Sequence, residues 1–76
     1  MTMVEFNDEV QVRMTKHRDC RTGQAMFLVA WDHVGEKINH ILGSDRDPFY
    51  NDERIPEFLV YLVDNNFFSD MQRQET

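Results

Sequence analysis

The sequence predicts an α+β fold: an N-terminal antiparallel β-hairpin followed by two α-helices packed on one of its faces (ββαα). Two observations carry this. From Val4 to Met14 the even positions Val4, Phe6, Val10, Val12 and Met14 are apolar, with Asp8 the exception, and the odd positions Glu5, Asn7, Glu9, Gln11 and Arg13 are polar. Alternation of this kind marks a strand with one buried face. Beyond Trp31 the apolar residues recur at helical spacing instead.

The first strand is expected over residues 3–15, with a bulge at Asn7-Asp8 where an acid falls on the apolar face. A polar connection over residues 16–23 ends in Thr22-Gly23, a plausible turn. The second strand, residues 24–31, is apolar on both faces: Ala25, Phe27, Val29 and Trp31 on one, Met26, Leu28 and Ala30 on the other. Such a strand needs cover on both sides. Two short helices cover one face, so the chain is expected to self-associate as a homodimer.

Asp32 is the expected N-cap of a helix over residues 32–42, with Gly43 as its stop and Val34, Ile38, Ile41 and Leu42 as its apolar stripe. A second helix starts near residues 54–56, because Pro56 fits only in a first turn. Its inner arc is Ile55, Phe58, Leu59, Leu62 and Val63, and Asn65-Asn66 end it. Phe67 and Phe68 are expected to pack back on the fold, and residues 72–76 to fray. Residues 1–76 then form one small domain.

The net charge of −6 is unevenly spread. Arg13, Lys16, Arg18 and Arg21 make one basic stretch, whereas acids dominate from Asp32 onward. That balance disfavours direct nucleic-acid binding and suits a basic protein partner. A single cysteine, Cys20, permits no internal disulfide and fits a reducing compartment. The N-terminal residues lack the basic and apolar regions of a signal peptide, and the apolar runs are too short to span a bilayer. A cytoplasmic protein without membrane contact is expected.

No reaction is legible. There is no dinucleotide, nucleotide-phosphate or nucleophile-elbow motif, no cofactor is implied, and an enzyme is not expected. His17, Cys20, His33 and His40 read as H-x2-C-x12-H-x6-H. The last two lie about 10 Å apart along a helix axis, too far for easy ligation of one zinc, so surface histidines are the better reading. Cys20 has cationic neighbours of the kind that favour a thiolate, but no orienting base. A metal- or thiol-dependent regulator is therefore the weakest function class. Asp45, Asp47, Asp52 and Glu53 cluster in a loop, yet Tyr50 and Pro56 stand where a calcium loop needs Gly and Glu, which leaves a solvated acidic loop.

Two readings remain. The first is a small acidic, non-catalytic protein-interaction domain, an adaptor, regulator or inhibitor of a larger protein. Its expected partner-binding residues are Phe49, Tyr50, Glu57, Tyr61 and Asp64, exposed aromatics rimmed by charge. Phe49 and Phe68 have a competing use as plugs for the ends of the core. The alternative is a nucleic-acid mimic, of the mobile-element type, whose acid stripe on Glu57, Asp64 and the loop acids blocks a basic DNA- or RNA-binding protein.

Overall fold

A computed structural model describes residues 1–70. The expected fraying of residues 72–76 lies outside the described residues. The fold is all-helical, and no strand occurs among the described residues. The order is α1 (Met3–Lys16), α2 (Thr22–Val34), a 3-10 helix (Gly35–Ile41), a 3-10 turn (Asp52–Arg54) and α3 (Ile55–Asp64). The ββαα expectation is therefore overturned at both strands.

The first strand is α1. A spacing of four residues is even in a strand and a near-full turn in a helix, so Phe6, Val10 and Met14 satisfy both periods. In the structure Phe6 and Val10 are buried, with Met3 and Met14 packed at their sides. Val4 and Val12, the residues that completed the alternation, are 66% and 53% exposed. Asp8 needs no bulge, because it lies on the outer face.

The start of α1 is held by local and distant groups. Thr2 is the N-cap: its hydroxyl accepts from the Glu5 backbone N–H at 3.1 Å, and the Glu5 carboxylate accepts from the Thr2 N–H at 2.7 Å. This reciprocal box satisfies donors that a helix start leaves orphaned. The Asp70 carboxylate accepts from the Met3 N–H at 3.1 Å, and the Ser69 N–H donates to the Met1 carbonyl at 2.8 Å.

The second strand is α2, and its two apolar faces are the surroundings of a central helix. No residue from Gly23 to Trp31 is exposed. A helix apolar on nearly every side must be enclosed, and here α1, the 3-10 helix, the loop before α3 and the C-terminal phenylalanines enclose it. The apolar surface from which a homodimer was expected is thus internal. Thr22-Gly23 is the first turn of α2 rather than a loop end.

Asp32 caps nothing. It lies inside α2, where its carboxylate pairs with the guanidinium of Arg13 on α1. The α-helix ends at Gly35, whose φ of +58° is a conformation few other residues adopt. The stripe expected on one α-helix continues on the 3-10 helix, with Ile38 and Ile41 buried and Leu42 exposed.

The last helix agrees with expectation. α3 begins with Pro56 in its first turn, ends at Asn65, and buries Phe58 and Leu62. Phe68 is fully buried, and the rings of Phe67 and Phe68 stand edge-on to Phe6 at 5.6 and 5.3 Å. Phe27 links the other half of the core, 6.0 Å from Phe58 and 5.8 Å from Phe49. No helix among the described residues is long and apolar enough to cross a membrane.

Two outcomes follow from this packing. A Cβ at Gly23 would collide with the backbone carbonyl oxygen of Pro48 and reach 2.8 Å from Asp52 Oδ1. Gly23→Ala should therefore lower stability by about 2–3 kcal/mol, read as a lower urea midpoint; an unchanged midpoint would remove the loop from its place on α2. The backbone and hydroxyl hydrogen bonds with Thr2 hold the Glu5 carboxyl below its usual range. A depressed folded-state value means the contribution is complete above the unfolded pKa and is lost as pH falls through the folded one. The Glu5→Gln variant should lose less stability than the parent on acidification from pH about 5 to about 3, as followed by thermal melts.

Candidate functional site

The described residues offer one face whose composition suits recognition, and α3 builds it. Residues four and seven apart on a helix share a side, so Glu57, Tyr61 and Asp64 project together, as their spacing predicts. Between them stands Val60, three residues after Glu57 and four before Asp64, and 60% exposed. Sequence reasoning missed Val60 because it belongs to a run of apolar residues whose other members serve the core. The i, i+3 relation to Glu57 was the signal that could have found it.

The loop before α3 extends this face. Asp45, Arg46, Pro56, Glu57 and Val60 line a shallow cleft of ≈ 320 Å³. The Arg46 guanidinium lies 5.9 Å from the centre of the Tyr61 ring, near enough for cation–π attraction. The Tyr61 hydroxyl is 3.2 Å from His40 Nε2, so the half-buried ring is fixed at both its face and its tip. Tyr61 is thus a positioned side chain rather than a free aromatic.

Phe49 and Tyr50 do not join this group. They sit at the N-terminal end of α2, where Arg21 donates to the carbonyl oxygens of Phe49 at 2.6 Å and Tyr50 at 3.1 Å. Phe49 is half-buried against Phe27, which is the core-plug use, whereas Tyr50 is 70% exposed. The five expected residues therefore fall into two patches, with Glu57, Tyr61 and Asp64 in one and Phe49 and Tyr50 in the other.

The loop acids are not one solvated cluster. Asp47 is buried, and its carboxylate accepts from the Gly43 and Phe49 N–H groups, each at 2.8 Å. Asp52 accepts from the Gly23 N–H at 3.0 Å and so caps α2 from a distance, a role for which Arg21 at the N-cap position has no side-chain bond. A carboxylate there also suits the positive end of the helix dipole.

The four metal-candidate residues are dispersed over separate partners. His17 closes α1, and the Cys20 backbone N–H donates to its carbonyl at 2.9 Å. Half-buried Cys20 points its thiol toward the Arg21 carbonyl at 3.6 Å. His33 Nε2 lies 3.0 and 3.1 Å from the two carboxylate oxygens of Glu9, and His40 meets Tyr61. Among the described residues, no group of three or more His, Cys, Asp or Glu side chains comes together as a metal site would need.

No protein-family model, no curated protein and no solved structure matches this chain. The chemistry of the α3 face therefore carries the functional argument alone.

Asp47 provides a direct check on how that face is built. Asp47→Ala strips two backbone donors of their acceptor, which should cost about 2–4 kcal/mol. Amide hydrogen exchange at Gly43 and Phe49 should accelerate with it. Unchanged exchange at both would mean that the loop is held by something else.

Proposed function

We propose that this chain is a non-catalytic, cytoplasmic protein-interaction module that docks a basic surface of a larger protein on the outer face of α3. The observation that carries this reading is Val60, an exposed apolar residue beside Pro56 and flanked by Glu57 and Asp64. An apolar centre inside a polar, charged rim is the usual anatomy of a protein interface. The rim is acidic, so the complementary surface is basic. The Tyr61 ring, held by His40 and Arg46, supplies an aromatic anchor that loses little freedom on binding.

The second reading, imitation of a nucleic-acid backbone, rests on the exposed carboxylates of Glu53, Glu57 and Asp64. It draws on fewer acids than the composition suggests. Glu5, Glu9, Asp32, Asp47, Asp52 and Asp70 are each engaged in a cap, an ion pair or a loop hydrogen bond. A repeating phosphate-like array has to be assembled from the remainder. The apolar centre at Val60 also has no counterpart in a phosphate backbone.

The test compares tagged parent protein with Val60→Ser and Glu57→Lys in capture of binding proteins from native lysate. Both positions are exposed, so folding stability should stay within about 0.5 kcal/mol of the parent. A protein held by the parent and lost with either variant supports the α3 face. Val60→Ser should weaken the complex at every salt concentration, and Glu57→Lys chiefly at low salt. Capture that survives both changes would sink the assignment. Displacement of the captured protein by duplex DNA would favour the mimic instead.

A further inference from the structure

We propose that the groove between the 3-10 helix and the C-terminal half of α3 binds a small monocarboxylate that carries an apolar body. The groove has a volume of ≈ 520 Å³, within the usual range of about 300–1,000 Å³ for small-molecule sites. It is separate from the α3 outer face, although Tyr61 stands at the border of both. Val34, Ile38, Leu62 and Phe67 contribute apolar surface to it, while Lys37 and His40 bring nitrogen donors from the 3-10 helix.

Charge distinguishes this groove from the rest of the surface. The chain holds 14 acids against 8 lysines and arginines, yet among the described residues no Asp or Glu lines the groove. Three other clefts each include a carboxylate: Glu9 in one, Asp19 in another, Asp45 and Glu57 in the third. Lys37 has no hydrogen-bond or ion-pair partner among the described residues. The Met1 α-ammonium, which donates to the Phe67 carbonyl at 3.5 Å, also lines the groove, and positive charge beside apolar surface attracts an anion that carries an apolar body.

The polar groups are also preorganised. Tyr61 Oη and His40 Nε2 lie 3.2 Å apart, so one of the two carries the shared hydrogen and the other is its acceptor. The Asn65 side-chain amide donates to the Tyr61 carbonyl at 2.8 Å and fixes the end of α3. At the other edge, the two carboxylate oxygens of Glu9 hold the His33 ring. A carboxylate placed on Lys37 would find the Tyr61 hydroxyl or the His40 ring as a second donor, and its hydrocarbon would cover Ile38 and Leu62. A ligand lacking either half would lose the matching set of contacts.

The experiment is a titration of isotope-labelled protein, followed by amide chemical shifts, with octanoate, acetate and 1-octanol as probes. Octanoate should give saturable shifts at Lys37, His40 and Asn66, and acetate and octanol should bind at least about tenfold more weakly. Exposed Lys37→Gln, checked for an unchanged circular dichroism spectrum, should reduce octanoate affinity by about tenfold and leave octanol unaffected. Three results would overturn the proposal: no saturable shift with octanoate, octanol binding as tightly as octanoate, or octanoate affinity unchanged by Lys37→Gln.

Discussion

The enclosure of α2 is the constraint from which the rest of the structure follows. With no exposed residue between Gly23 and Trp31, α2 cannot be a surface helix. Each neighbour brings one apolar edge to it. α1 contributes Phe6 and Val10, the 3-10 helix Ile38 and Ile41, α3 Phe58 and Leu62, and the C-terminal segment Phe68. The loop before α3 reaches α2 only because Gly23 has no Cβ to meet the Pro48 carbonyl. A chain this short has few buried residues to spare, so the loss of any one contact bears on the whole.

The acids, which from composition look like a uniform negative coat, divide into two populations. One is structural. Asp32 with Arg13 and Glu9 with His33 join α1 to α2, Asp52 caps α2, Asp70 and Glu5 serve the start of α1, and Asp47 folds the loop. The exposed ion pairs among these contribute modestly to stability, and the faces that meet are set by the buried apolar residues between them. The other acids are exposed and spread over several elements: Glu57 and Asp64 lie on the outer face of α3, Asp8 on α1, Asp19 between α1 and α2, and Glu36 on the 3-10 helix. The groove over Ile38 and Leu62 is the complementary case, with no Asp or Glu among the described residues of its lining and Glu9 reaching only the His33 ring at its edge.

Tyr61 shows how a residue visible in the sequence acquires meaning from its neighbours. Helical spacing places it beside Glu57 and Asp64. Only the fold brings His40, twenty-one positions earlier, to its hydroxyl and Arg46 to its ring. Phe49 shows the reverse. It shares the aromatic, charge-rimmed composition of a docking residue, yet Arg21 and Phe27 draw it into the core.

By itself the sequence determined α3, with Pro56 at its start, Phe58 and Leu62 on its inner arc and Asn65 at its end, together with the return of Phe67 and Phe68. These features are local, or depend on a period that no strand can imitate. The capping pair of α1, Thr2 and Glu5 three residues apart, is also present in the sequence, but the alternation from Val4 to Met14 masks it and turns Asp8 into an apparent bulge. Tertiary structure decided what α1 and α2 are. Phe6, Val10 and Met14 fit both a strand and a helix, because a step of four serves both periods. An apolar run with two buried faces reads alike as an interior strand or an interior helix. The choice rests on which partners enclose the run, and those partners lie elsewhere in the chain.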